Sequence, residues 1–190
     1  MRITLLRHGE PTISTLRKVT SAEFLGWVEE YNNSGLCQSS KPPVQVLDHA
    51  QKCTAIVCSD LPRSIESAKA LGVENITLSD TIFNEAGMPA SNRRILKLSP
   101  NAWMIIYRVF WLLGYSNNSE SFKEAKMRAI SAIEKLTEIA NNYENVLFVG
   151  HGFYNRILAN ELRKSGWLGP KNPGSKYWSM SIYEYNIETY

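Results

Sequence analysis

The sequence predicts an α/β chain, a three-layer α/β/α sandwich with a mostly parallel central sheet. Three observations predict it. Short apolar, partly β-branched runs at 2–6, 54–58 and 146–149 read as buried strands. Segments with helical periodicity and recognisable caps lie between them. The chain has 190 residues and no internal repeat, which suits one domain around a single core. Strands that alternate with helices are the signature of a parallel sheet covered on both faces.

Taken in order, residues 2–6 form the first strand. A helix over 21–32 places Phe24, Leu25, Val28 and Tyr31 near one face, and Asn32-Asn33-Ser34-Gly35 ends it. A loop at 39–43 leads to a short helix at 44–51. The second strand, 54–58, runs into Ser59-Asp60, which is suited to cap a helix over 61–71 that Gly72 stops. A short strand follows at 76–78. The stretch 84–100 is irregular, with Gly87, Pro89 and Pro100, and Pro100 opens a helix that runs to Leu113. That helix is apolar all round, which predicts cover on several sides. Ser121 and Glu124 make a capping box, and Phe122, Ala125, Ala129, Ile133, Leu136 and Ala140 recur behind it at helical spacing. The third strand, 146–149, precedes a helix at 153–164, a loop at 166–175 and an alternating strand at 179–185. The segment 92–118 reads as a helical insertion (a lid) over the sandwich, within a single domain spanning 1–190.

Composition narrows the function. Apolar content of 44%, charged content of 21% and a formal charge of +3 are ordinary for a globular chain. No basic run, zinc-finger spacing or aromatic RNA-binding signature argues for nucleic acid. The most apolar segment, 102–113, is too short to span a bilayer and contains Arg108, so no membrane partner is expected. The first residues do not form a signal peptide. Cys37, Cys53 and Cys58 are odd in number and lack a Cys-x-x-Cys spacing, which predicts a reduced, cytoplasmic protein without structural metal.

The chemistry-bearing residues gather where strands end. Arg7-His8-Gly9-Glu10 follows the first strand, Ser59-Asp60-Leu61-Pro62-Arg63-Ser64 the second, and Gly150-His151-Gly152 the third. Open α/β sheets bind ligands outside the carboxyl ends of their strands, so Arg7, His8, Arg63 and His151 are expected at one edge. Two guanidinium forks suit phosphoryl oxygens, one imidazole can act as nucleophile, and the other is a further donor. The glycines allow a ligand close to the backbone, and the helix after His151 offers an N-terminus that favours an anion.

Those three motifs, in this order and spacing, resemble the histidine phosphatase superfamily, the phosphoglycerate mutase-like phosphatases, over most of the chain. The resemblance implies a phosphoglycerate mutase-like fold and a metal-independent phosphomonoester hydrolase acting on a small phosphorylated substrate, with no cofactor. His8 would be the nucleophile; Arg7, Arg63 and His151 would hold the phosphoryl group, with Gly152 beside it. The family usually takes its proton donor, a Glu or Asp, from the loop that here follows the short strand at 76–78, where Glu85 stands; Asp80 is the competing candidate, although a cap or turn role suits it better. A mutase-type phosphoryl transferase and a non-catalytic phosphate-binding member are the alternatives. Two departures stand out. Pro11 follows Glu10, and 12–15 has no Asn to help hold phosphate; either Thr12 or Ser14 supplies a hydroxyl instead, or the contact is missing. A Gly-x-x-Gln-Ala stretch is absent before the second strand, where Asp48, Ala50 and Gln51 stand.

Other residues have plainer readings. His49 is read as a surface residue and Arg93-Arg94 as a solvated pair, with contact to a second anionic group as its alternative. The helix bearing Trp103, Tyr107, Phe110 and Trp111 is read as a core helix; a lid and a homodimer face are its alternatives.

Overall fold

The computed structural model describes residues 1–186 apart from Glu74 and Ile95. Five strands, β1 (Arg2–Arg7), β2 (Ala55–Cys58), β3 (Leu78–Ser79), β4 (Asn145–Gly150) and β5 (Met180–Glu184), form one sheet in the order β3-β2-β4-β1-β5. The first four in that order are mutually parallel, and β5 closes the edge antiparallel to β1. Six α-helices join them: α1 (Ser21–Asn33), α2 (Val44–Ala50), α3 (Pro62–Ala70), α4 (Pro100–Leu112), α5 (Phe122–Tyr143) and α6 (Gly152–Lys164). A 3-10 turn spans Thr81–Phe83.

The three layers follow from the period of two along each strand. Ile3, Leu5, Val57, Val146 and Phe148 face one way and pack with the alanine stripe of α5 and with Tyr154, Leu158 and Leu162 of α6. Leu6, Ile56, Cys58, Leu147 and Val149 face the other way, against Val46 and Ala50 of α2 and Ala68 and Leu71 near α3. Small side chains at Ala125, Ala129, Ala132 and Ala140 let α5 lie close to the sheet. Its start carries the expected capping box, with Ser121 and Glu124 satisfying each other's backbone N–H groups. A third apolar cluster joins α1 to α4 through Phe24, Trp27, Trp103 and Tyr107.

Register places the site. Leu6, Val149 and Cys58 lie level across β1, β4 and β2, and the His8 N–H bonds to the Gly150 carbonyl at 2.9 Å. The three motifs therefore leave the sheet side by side.

Several expectations need correction. The short third strand pairs at Leu78–Ser79, just beyond the stretch read at 76–78, because Thr77 uses its N–H and hydroxyl on Ile56 at the strand's entry. Ser59 and Asp60 do not cap α3; Leu61 is its N-cap, Pro62 opens it, and the Ser59 hydroxyl is engaged elsewhere. His49 is half-buried, with Nε2 2.8 Å from the hydroxyl of Thr4, the polar side chain that β1 buries on the α2 side. The helix α4 is covered on one face only: Trp103, Tyr107 and Trp111 are buried, whereas Ile105, Val109 and Leu112 stay 68%, 50% and 50% exposed.

Candidate active site

His8 emerges from β1 almost fully enclosed. Its Nδ1 lies 2.6 Å from the Gly9 carbonyl, so Nδ1 carries the proton and Nε2 keeps its lone pair. Burial, then the Arg63 guanidinium, hold the imidazole well below its usual pKa, and it stays neutral. His151 begins the turn into α6, with its ring centroid 5.1 Å from that of His8. Burial, Arg63 and His8 push its pKa down in the same way. The His151 Nε2 is 2.7 Å from the Ser59 hydroxyl, whose oxygen also accepts a long bond from the Leu61 N–H.

The two arginines are set by aromatic rings. Arg63, wholly buried at the start of α3, lies 4.3 Å from the Tyr31 ring centroid and donates through Nη1 to the Tyr31 carbonyl at 2.9 Å. Arg7 stacks on Tyr177 at 4.3 Å and donates through Nη1 to the Ser175 carbonyl. Among the described residues, Arg7 Nε, Arg63 Nε and Nη2, and His151 Nδ1 are buried without a hydrogen-bond partner. Four uncommitted nitrogens around one neutral imidazole form a cradle for an anion with several oxygens, because buried donors are ordinarily satisfied.

Glu85 lies next to this cradle, in a role the sequence did not reveal. Its Oε1 accepts from the N–H groups of Ala86 at 2.9 Å and Tyr154 at 2.8 Å, and its Oε2 from Phe153 at 3.2 Å. The first turn of α6 thus already holds an anionic group, and it is this side chain. The loop carrying Glu85 is clamped from two helices. Arg108 of α4 donates to the Gly87 and Ala86 carbonyls at 2.9 and 3.1 Å. Arg128 of α5 donates to Ile82 and Asn84 at 2.7 and 2.9 Å and pairs with Glu120 at 2.6 Å. Glu120 in turn accepts from the Gly87 N–H. One signal for this clamp was visible: a lone arginine inside the otherwise apolar α4.

Asp80 has the structural role. It caps the 3-10 turn through Ile82 and pairs with Lys135 at 2.5 Å, and those bonds lower its pKa, the Ile82 N–H first. Thr12 and Ser14 are exposed and do not reach the site; alternate residues of that segment, Pro11, Ile13 and Thr15, line the cavity instead. Arg93 and Arg94 are exposed and lie outside that lining. The motif glycines are small for protein neighbours: a side chain on Gly9 would strike Trp178 and Leu36, and one on Gly152 would meet the Arg7 guanidinium at 3.1–3.3 Å.

A cavity of about 810 Å³ opens beside these groups, with Arg7, Glu85, Gly152 and Tyr177 at one end and α1 and α4 along its sides. His8, Arg63 and His151 do not line it; each is 1% exposed or less and lies beneath that end, where Tyr177 is 5.8 Å from the His8 ring. Among the described residues no cluster of His, Cys, Asp and Glu could hold a metal ion, and no helix is long and apolar enough to cross a membrane.

Comparison with known proteins bears on the fold and the family. No curated protein sequence matches the chain. Solved structures do. An open reading frame product of Mycobacterium tuberculosis has a TM-score of 0.64 at 20% identity, over 98% of this chain and 92% of that one. A mycobacterial glucosyl-3-phosphoglycerate phosphatase has a TM-score of 0.61 at 19% identity, over 95% and 88%. An α-ribazole phosphatase of Shigella flexneri has 0.51 at 20%, over 85% and 79%. A sequence model of the histidine phosphatase superfamily, branch 1, matches residues 3–189. With a family model that spans nearly its whole length, the chain belongs to the histidine phosphatase superfamily.

Proposed function

We propose that the chain hydrolyses phosphomonoesters by passing the phosphoryl group through His8. The observation that carries this reading is the set of four buried, unpartnered nitrogens on Arg7, Arg63 and His151 around a neutral imidazole whose Nε2 is free. Nε2 attacks phosphorus in line, and the N–P bond forms as the ester P–O bond breaks. The guanidinium groups of Arg7 and Arg63 stabilise the charge on the non-bridging oxygens, the role a metal ion fills in other phosphoryl-transfer sites. A hydroxyl of Ser59 that accepts from Leu61 and donates to His151 Nε2 leaves the ring proton on Nδ1, the atom turned to the cradle.

Glu85 is the proton donor. Oε1 already accepts two backbone bonds, whereas Oε2 accepts one long one, so the proton to be passed is taken up on Oε2 as the substrate binds. It moves to the leaving oxygen. Glu85 then takes a proton from water, the water oxygen bonds to phosphorus, and the N–P bond breaks to free phosphate. Substrate entry displaces Arg7 from the Ser175 carbonyl and Tyr177 from above His8. The segment 92–118 acts as the lid, with α4 as the cavity's side wall. The relatives that hydrolyse phosphate esters support this reading, and three free thiols fit a reducing, cytoplasmic compartment.

The test is chemical trapping in EDTA. Labelled aryl phosphate should leave an acid-labile, base-stable phosphoryl group on the protein. His8→Ala should abolish both labelling and turnover while vanadate still raises the melting temperature through Arg7, Arg63 and His151. Comparable turnover by folded His8→Ala protein, or activity that EDTA removes and magnesium restores, would overturn the mechanism.

A further inference from the structure

The cavity beside the cradle is far larger than a phosphoryl group needs. The nitrogens that would bind phosphate lie beneath it, so nearly all of its roughly 810 Å³ belongs to the alcohol part of the ester. Its two long walls are apolar: Trp27 and Val28 on α1, and Met104, Ile105, Val109 and Leu112 on α4. Ile105, Val109 and Leu112 are half or more exposed, on a helix whose opposite face is already buried in aromatic packing. A helix with one buried stripe ordinarily turns polar residues to water, so three uncovered branched side chains along one cavity wall need an occupant.

The polar side chains are few along the two long walls and offer a hydroxyl-rich ligand little there. Arg108 is committed to two backbone carbonyls and flanked by the Trp111 and Phe153 rings, at 4.7 and 4.2 Å. Glu10 and Arg156 are exposed to solvent, Tyr177 and Tyr31 stack on Arg7 and Arg63, and the remaining uncharged candidates are Thr15, Asn32, Asn101 and Ser175. A sugar phosphate would bury most of its hydroxyls against hydrocarbon along those walls, which is costly.

We infer that the α1–α4 walls form a leaving-group subsite for the phosphomonoester of a large, uncharged, mainly apolar alcohol. This rests on the hydrolytic reading above and names its substrate class. Selectivity of this kind comes from removing hydrocarbon from water, so each methylene that enters the cavity should raise kcat/KM by about two- to fourfold until the walls are filled.

The experiment is an n-alkyl phosphate series from ethyl to octyl, kept below micellar concentrations, with phosphate release followed on the full chain. Glycerol phosphate and glucose 6-phosphate serve as polar comparators. The expected result is a kcat/KM that climbs steadily with chain length, with octyl phosphate at least about sixtyfold better than ethyl phosphate and better than either comparator. Val109→Asp, on a half-exposed position that tolerates a charge, should lower octyl phosphate hydrolysis at least tenfold more than ethyl phosphate hydrolysis. A flat series, or a preference for glucose 6-phosphate, with phosphate still released, would overturn the subsite and leave the hydrolase reading standing. No phosphate from any ester, together with no labelling of His8, would remove the hydrolase reading and the subsite with it.

Discussion

Glu85→Gln tests the donor. The structure sets two separate magnitudes for it. The amide oxygen can take the place of Oε1 and keep the Ala86 and Tyr154 bonds at 2.9 and 2.8 Å. The amide nitrogen then faces the Phe153 N–H, which loses its acceptor at 3.2 Å. One stranded N–H and a lost negative charge at the α6 N-terminus together cost about 1–3 kcal/mol, or a melting temperature lower by roughly 2–10 °C at this chain length. The protein therefore folds, and its kinetics can be read. A general acid matters in proportion to the leaving group's need for a proton, so alkyl phosphates should lose on the order of a hundredfold or more. Nitrophenolate leaves without help, so its burst of release, which reports phosphorylation alone, should hardly change. Steady-state turnover of nitrophenyl phosphate should still fall, because Glu85 also activates water for the second step. Stopped-flow release of nitrophenolate and single-turnover phosphate release from an alkyl ester make the comparison. Equal losses on both esters would refute the assignment, and Asp80→Asn showing the leaving-group dependence instead would move the donor to Asp80.

Arg128→Met removes two bonds to the Ile82 and Asn84 carbonyls and leaves Glu120, which is 23% exposed, with the Gly87 N–H but without its cation. It should cost about 3–5 kcal/mol of stability and reproduce the alkyl-selective defect of Glu85→Gln, because a misplaced acid loses on the order of a hundredfold; a melt and the same two esters check it. Gly152→Ala puts a methyl 3.1–3.3 Å from the Arg7 guanidinium, so vanadate and phosphate should both bind at least tenfold more weakly by titration, with little change in melting temperature. Stability should fall as pH drops. The folded pKa values of His8 and His151 lie below the unfolded value of about 6.5, so between the two values the unfolded chain binds more protons. Their contribution is complete above that value and is lost below it, by up to about 1.4 kcal/mol per pH unit for each ring. Urea unfolding between pH 7.5 and 5.5 should show that slope, to which half-buried His49, its pKa lowered first by burial, adds a share, and His151→Gln should remove the part due to its own ring. A stability that rises toward pH 5.5 would contradict the burial of both rings. Asp80, Glu23 and Glu124, whose pKa values are lowered, act only at more acidic pH.

The legible part of the site was the part written at strand ends. Arg7, His8, Arg63 and His151 follow short apolar runs, and a parallel sheet delivers such positions to one edge whatever the intervening sequence. The capping box at Ser121 and the alanine stripe of α5 were equally local. What escaped depends on contacts far apart in the chain. Nothing near Glu85 announces that its carboxylate occupies the N–H groups of Phe153 and Tyr154, and nothing near Arg128 announces two carbonyls more than forty residues away. Tyr177 over Arg7 and Tyr31 over Arg63 are further cases. Thr12 and Ser14 failed for a subtler reason: residue type was right, but parity along an irregular segment decides which side chains face the cavity. The exposed face of α4 was misjudged because apolar composition was taken to mean cover, where this helix leaves one face to the cavity.

The place of β1 in the sheet bears on synthesis. It lies between β4 and β5, so both of its hydrogen-bonding edges are completed by residues 145–150 and 180–184. β1 thus leaves the ribosome before either neighbour and waits while residues 8–144 are made. During that interval its apolar residues and open edges need protection, since unpaired strands in slow, long-range topologies are the ones that aggregate. His8, at the end of that strand, gains its backbone bond to Gly150 only when β4 arrives. A nascent chain stalled before residue 145 should accordingly carry every residue of the first two motifs and yet bind no phosphate, and it should be held by chaperones rather than released as a stable fragment.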